Sequence, residues 1–548
     1  MQVLSIDAPV EGWNAYDSLD NMPPSAAIIL DNLIPGAGTC EGRKGYTVYV
    51  DLLTGKPVET VASYHTRNDS ILVAASDGGI WEILDTSLAG GGAWQQSGIA
   101  TNIAAIGTFQ SSRWQTSNFK KADEEGILIL SNGVDPTQIY DGNTLVPMST
   151  TGTNPPDPDP PILDSPTFIG NLVFKGRVYY WLDDDNAFWY TQAGSYQGTL
   201  KKFDLGSQVQ KGGKIVQIVS WTQQDSGDGK DDFIVFVFDT GEVLVYQGDD
   251  PETIGYWEQV GRYQTSEPMS VRGHAGYGAD HILMTKDGYI SLATIIQQGR
   301  TSDVPAFSRL IHSAVTERTE SRGHLYGWEC NLYPRRGLFI FNVPLSDDTF
   351  EQHVMNTITQ KWCRFKGLHF NTMEVHNERL YGGGQDGVVY AMLEVTSDNG
   401  QPIQFAGMPA FNYHGDNGNQ KHLTAANFIS TYQFPNLVEV DGYSDFDLPQ
   451  DVAEVDLPPI YAPSSWSVYP DTYPPWIPAL PANPDQSEIG SSWDEDYWSS
   501  ENTPFTTKGW QNVSAFGYAV TILIRFAEGS DTPVWRSTGL RLHTVGAQ

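Results

Sequence analysis

Side chains able to do chemistry are plentiful in this chain, but their spacing seldom brings them together. Asp225-Ser226-Gly227-Asp228-Gly229-Lys230-Asp231-Asp232 alternates oxygen donors with glycine, as calcium loops do. The spacing departs from an EF-hand and the terminal Glu is missing, so a solvated hairpin loop is the favoured reading. Propeller sialidases and glycosidases need carboxylate pairs with a basic cluster, and the sialidase Asp-box, Ser-x-Asp-x-Gly-x-x-Trp, is absent: Ser76-Asp77-Gly78-Gly79-Ile80-Trp81 only grazes it. The 11 histidines form no His-Glu-x-x-His motif and no close pair on one predicted face. His274 and His281, seven apart across a glycine-rich turn, read as structural or surface residues rather than ligands. There is no Gly-x-Ser-x-Gly elbow, no Gly-x-x-x-x-Gly-Lys phosphate loop and no Cys-His couple that spacing could place. Cys40, Cys330 and Cys363 are odd in number and widely separated, and read as reduced core thiols of a protein made in a cytosol. The expectation is a chain that is not an enzyme, with no catalytic residue, no metal and no cofactor.

The elements around these residues are strands. From Gln352 to Leu393 the chain reads as one blade of a β-propeller: Val354-Met355-Asn356, a polar turn, Trp362-Cys363-Arg364-Phe365, then Arg379-Leu380-Tyr381 into Gly382-Gly383-Gly384. Gln385-Asp386-Gly387 is a tight turn that needs positive φ, and Val388 to Met392 is the next β-run. Similar strand-turn-strand units recur at Ser70–Leu84, Gly126–Gly142, Leu172–Tyr190, Phe233–Tyr246 and His281–Leu292. Their turns lie about 40 to 60 residues apart, wider than a regular WD-type array, so the reading is a propeller of five to seven blades. With 54 Gly and 33 Pro, only Pro24–Leu30 and Val304–Val315 could hold short helices. Trp510–Phe526 and Val534–Val545 look like a closing hairpin.

Composition bounds the rest. The predicted fold class is all-β: a propeller over residues 50–400, with a β-rich platform domain in residues 401–548 completed by an N-terminal arm of residues 1–49. Thr153-Asn154-Pro155-Pro156-Asp157-Pro158-Asp159-Pro160-Pro161 reads as an extended spacer. Residues 441–506 form a long Pro- and Trp-rich loop, whose Trp466, Trp476, Trp493 and Trp498 are costly to leave in water. They are expected to pack on a neighbour, another copy of the chain being a candidate. No run approaches the ~18 apolar residues of a membrane span, and no targeting signal is recognised, so no membrane insertion is expected. With 66 acidic against 32 basic residues the net charge is −34, which repels phosphate backbones and excludes a nucleic-acid binder. Such a surface suits one that nucleic acid must pass without sticking, though solubilising charge on an assembly subunit explains it equally.

Two segments carry a resemblance. Leu19 to Pro35, with Asn32, followed by Gly42-Arg43-Lys44-Gly45-Tyr46, resembles the opening of tail nozzle (tail tube terminal) proteins of short-tailed bacteriophages. The segment with Asn356, Trp362 and Tyr381-Gly382-Gly383, then Asp386-Gly387-Val388, looks like one repeated across tail proteins of that kind. The resemblance implies a structural subunit of the virion tail, assembled in the host cytoplasm. It further implies a homo-hexameric ring bound to the head-to-tail adaptor, with tail fibres or tailspikes nearby, lining a channel through which genomic DNA passes without specific binding. Asn32, Arg43, Gly45, Asn356, Trp362, Gly382, Asp386 and Gly387 are the pattern residues. The competing expectation is a carbohydrate-binding or polysaccharide-cleaving propeller, and a third is a generic protein-interaction scaffold.

Overall fold

Turn geometry divides the chain into strands. Asp77-Gly78 and Lys175-Gly176 hold positive φ at both central residues (48° and 72°; 46° and 74°), the type I′ geometry whose twist matches that of its flanking strands. At Asp386-Gly387 only the glycine is positive, at 85°. A computed structural model describes residues 2–545 apart from 68–69, 87–96, 121–125, 151–165, 223–231, 254, 299–306, 433–437, 450–451, 453–504, 507–508 and 530. Among the described residues, hairpins of this kind build seven antiparallel blades around one axis.

From the axis outward, blade 1 is Val58–His65, Ser70–Ser76, Gly79–Thr86 and Ser97–Ala104, and blade 2 is Gln115–Phe119, Ile127–Ser131, Gln138–Tyr140 and Leu145–Pro147. Blade 3 runs Gly170–Phe174, Arg177–Trp181, Ala187–Tyr190 and Lys201–Asp204, and blade 4 runs Ile215–Thr222, Asp232–Phe238, Glu242–Gly248 and Trp257–Gln264. Blade 5 shows three strands, His274–Tyr277, Asp280–Thr285 and Gly288–Ser291, with the helix Leu292–Gln298 packed on them. Blade 6 is Glu329–Tyr333, Leu338–Pro344, Phe350–Asn356 and Lys361–Phe365. Blade 7 takes Phe370–His376, Arg379–Gly384 and Val388–Val395, and its outer strand, Gly45–Asp51, comes from far earlier in the chain, with Val389 opposite Val50. The seventh inner strand meets the first, so the ring is closed and its inner edges are protected.

Apolar side chains fill the space between successive blades. Tyr64 meets Tyr140 between blades 1 and 2 with centroids 5.3 Å apart, and Phe188 stacks on Phe236 at 4.8 Å between blades 3 and 4. The largest cluster joins blades 5 to 7 to a second β-body. Within it Tyr289 lies flat on Phe341 at 4.0 Å, and Trp362 follows at 5.6 Å from Phe341.

That second body uses both ends of the chain. Gln420–Tyr432 pairs along its length with Val534–Val545, which also pairs with Gln2–Asp7 and Cys40–Gly42. Facing this sheet are Ala26–Asp31, Ile403–Pro409, Val520–Glu528 and Val438–Ser444, with Phe405, Phe428, Phe526 and Trp535 in contact between the layers. A single parallel bridge, Arg364 to Asp31, makes the facing sheet continuous with blade 6.

Four expectations need correction. Residues 352–393 are not one blade: they contain the outer half of blade 6 and most of blade 7, because the chain between Phe365 and Phe370 crosses from the rim to the axis. Pro24–Leu30 is no helix, since Ala26–Asp31 is a strand whose apolar run is buried between neighbours. The helix expected over Val304–Val315 is found as His312–Arg322. Trp510–Phe526 and Val534–Val545 form no hairpin either, because Val520–Glu528 pairs within one layer and Val534–Val545 within the other.

Candidate functional site

The N-terminal pattern residues meet at the joint between the two bodies. Asn32 follows the strand Ala26–Asp31 in the left-handed conformation, φ 62°, which its short polar side chain tolerates. Its Nδ2 donates to Gln404 O (2.7 Å) and Lys366 O (3.2 Å), while its Oδ1 accepts from Lys366 N and Arg43 Nε, both at 2.8 Å. Arg43 is fully buried, and its guanidinium grips Asp398 through Nη1–Oδ1 (2.8 Å) and Nη2–Oδ2 (2.6 Å) while Nη2 also donates to Lys366 O. Gly45 lies against the same loop. A Cβ there would sit 2.0 Å from Ser397 O, so no larger residue fits without moving backbone.

The other pattern residues are spread over blades 6 and 7. Asn356 caps its turn through Ile358 N–H (3.0 Å) and donates to Pro35 O (3.0 Å), tying blade 6 to the second body. Trp362 is core, Gly382 lies against Phe370 and Met392, and Asp386 accepts from Tyr390 OH at 2.6 Å. At Gly387 a Cβ would meet Thr54 Oγ1 at 2.4 Å, where the chain entering blade 1 crosses the last hairpin. Trp466, Trp476, Trp493 and Trp498 lie outside the described residues, as does most of the Asp-rich loop from Asp225. Cys40, Cys330 and Cys363 are free and buried, and burial raises all three thiols well above their ordinary value.

Sequence reasoning missed the polar axis of the propeller. The inner strands enclose a cavity of about 250 Å³, whose wall includes Asn171, His274, Glu329, Asn331 and Glu374. Arg272, from the start of blade 5, bridges one mouth. It donates to Thr60 Oγ1 (2.8 Å), Trp114 O (2.5 Å), Glu59 O (3.1 Å) and Thr372 Oγ1 (3.1 Å), and pairs with Glu329 at 3.4 Å. Tyr326 lies between two guanidiniums, Arg113 at 4.1 Å and Arg272 at 5.8 Å, and donates to Glu59 O at 2.6 Å. Together these bonds tie blades 1, 2, 5, 6 and 7 to one another across that end. No spacing rule singles Arg272 out, because its partners come from strands far apart in sequence.

His274 and His281 do form a close pair, contrary to expectation, with Nδ1 and Nε2 3.1 Å apart. Hairpin arithmetic held the signal: with Tyr277 opposite Asp280, residues 274 and 281 are diagonal neighbours on one face. Burial lowers His274 to about 3, helped by His281, and lowers His281 to about 4. Both are therefore neutral at neutral pH, and one ring donates its N–H to the bare nitrogen of the other. Among the described residues no group of three or more His, Cys, Asp or Glu could hold a metal ion.

Burial, with Glu329 nearby, pushes the Glu374 carboxyl up from 4.5 to about 7. The folded chain then holds a proton between those values that the unfolded chain releases, so this group's contribution to stability falls as pH rises through that window. Glu374→Gln is expected to flatten this dependence and to be more stable at pH 8, by on the order of 3 kcal/mol at most. Urea midpoints of both proteins at pH 5 and pH 8 measure it, and parallel pH slopes would refute it.

No family model matches the chain, and no curated protein does. Similar solved structures include BBS1N in complex with ARL6DN, at 11% identity and TM-score 0.35, covering 65% of this chain and 99% of that one. Chaetomium thermophilum Sqt1 bound to the N-terminus of the ribosomal protein L10 is similar at 10% identity and TM-score 0.37, covering 59% and 80%. YCF48 bound to D1 peptide stands at 11% and 0.34, covering 68% and 99%. Likeness this distant says nothing of activity or partners. Strand pairing itself defines the class: an all-β protein with a closed seven-bladed propeller and a second β-body sharing one of its sheets.

Proposed function

We propose that the chain is a structural subunit of the nozzle of a short bacteriophage tail, built into a six-fold ring between the head-to-tail adaptor and the fibres or tip. The observation that carries this reading is the convergence of Asn32, Arg43 and Gly45, the residues of the N-terminal resemblance, on the joint that locks the two bodies together. A part that guides DNA needs rigid walls more than reactive groups, and the closed ring, the shared sheet and the buried Arg43–Asp398 pair supply rigidity. Its charge of −34 disfavours adhesion to passing phosphates. On this reading the DNA passage lies between copies, since an axial cavity of about 250 Å³ barred by Arg272 admits no duplex.

Two measurements test it. Native mass spectrometry of the assembled protein is expected to give a particle of six chains of 60.5 kDa each. Gold label on a tag after Gln548, imaged on virions, is expected at the distal tail. Label on the head shell, or a stable monomer with affinity for sugars, would refute the assignment, the latter in favour of a carbohydrate-binding propeller.

A further inference from the structure

The axial cavity contains acceptors that the chain itself does not fully use. Glu329 is engaged on both oxygens: Oε1 accepts from Met373 N (2.5 Å) and Asn331 Nδ2 (2.9 Å), and Oε2 from Thr372 Oγ1 (3.0 Å) with Arg272 beside it. Glu374, two residues along the same inner strand as Thr372, has a different situation. It accepts from Ser63 and has no ion pair among the described residues, while Arg272, whose field reaches it, is bonded elsewhere. Across the axis, blade 3 contributes Asn171, whose Nδ2 donates to Gln115 O (3.1 Å) and Ser131 Oγ (3.0 Å). Those two bonds fix the amide orientation. They leave Oδ1, on a residue only 7% exposed, with no hydrogen-bond partner. A buried carbonyl without a donor is costly and calls for an explanation.

A carboxylate and an amide oxygen in one cavity both require a donor. Glu329 and Arg272 cancel, so an ionised Glu374 leaves the cavity one negative charge. We propose that the axial cavity is a binding site for a small free primary amine in its ammonium form, donating hydrogen bonds to the Glu374 carboxylate and Asn171 Oδ1. An ammonium matches the charge and carries enough N–H groups for both acceptors. About 250 Å³ limits the ligand to a short alkylamine, and the Arg272 guanidinium closes one mouth to any further cation. Residues from blades 3 and 7 hold the ligand jointly, so binding stabilises the closed ring. The proposal is independent of the role in a phage tail.

The test uses the full chain and methylammonium chloride as probe, near pH 8, against tetramethylammonium chloride and potassium chloride at equal concentration. Methylammonium is expected to raise the melting temperature above the other two salts by about 1 °C or more near saturation. Glu374→Gln is expected to abolish the difference, and Glu374→Asp, which keeps the charge but withdraws it, to reduce it. Equal melting of the wild type in all three salts overturns the site, with no variant needed. A shift that potassium reproduces, or one that persists undiminished in Glu374→Gln, overturns it as well.

Discussion

Asp398→Ala is expected to destabilise the protein by about 3–5 kcal/mol, the cost of leaving a buried charge without its partner. Arg43 is wholly buried, and its three hydrogen bonds outside the bidentate pair, to Asn32 Oδ1, Lys44 O and Lys366 O, leave the charge itself without another counterion. The loss comes mainly from Arg43, and a variant that removes both charges, Arg43→Met with Asp398→Leu, should recover a good part of it. Equilibrium urea unfolding of the three proteins decides the matter. Should Asp398→Ala cost less than about 1 kcal/mol, as an exposed pair would, the joint is not held electrostatically. A second signature is expected from limited proteolysis: weakening this pair should expose the Asp398–Gln401 turn, since Asn399 N–H donates to Tyr46 O and fastens that turn to the closing strand.

The other large effect concerns the first 52 residues. Deleting them removes the outer strand of blade 7 and all the strands that the N-terminal segment gives to the second body. Leu30, Leu33, Cys40, Tyr49 and Leu52 are buried there, and large apolar side chains contribute about 1.5–3 kcal/mol each. Their sum rivals the whole stability of a typical domain, about 5–15 kcal/mol. The truncated chain is therefore expected to show no cooperative thermal transition in near-ultraviolet circular dichroism. A sharp transition within a few degrees of the intact protein would mean that blade 7 closes without its fourth strand.

Class and hairpins were legible in the sequence because their causes are local. Asp77-Gly78 takes positive φ cheaply, and runs such as Phe233–Phe238 are β-branched and aromatic. Blade boundaries were not legible, since they depend on which strand turns toward the axis. Blade 5 shows three strands and blade 7 borrows one from residues 45–51, so even spacing fails at both. Ala26–Leu30 is too short for periodicity to separate a strand from a buried helical turn. The apolar run in Val520–Glu528 announced a strand but could not name its partners. The N-terminal pattern drew attention to Asn32, Arg43 and Gly45, yet Asp398, the charge that makes Arg43 tolerable, lies far along the chain and had no local mark. Arg272, Glu329 and Glu374 were invisible for the same reason: an axis is assembled from all blades at once.

Chain order also sets a timetable for synthesis. The strand Gly45–Asp51 has no partner until Val388–Val395 emerges, and Gln2–Asp7 waits for Val534–Val545. The propeller cannot close before Val388–Val395 is made, and the second body waits longer still, for Val534–Val545. For most of that interval the nascent chain presents unpaired strand edges, the surfaces most prone to join a wrong neighbour. Fidelity in making this protein then depends on holding Gln2–Asp7 and Gly45–Asp51 apart from other nascent copies until their own partner strands arrive.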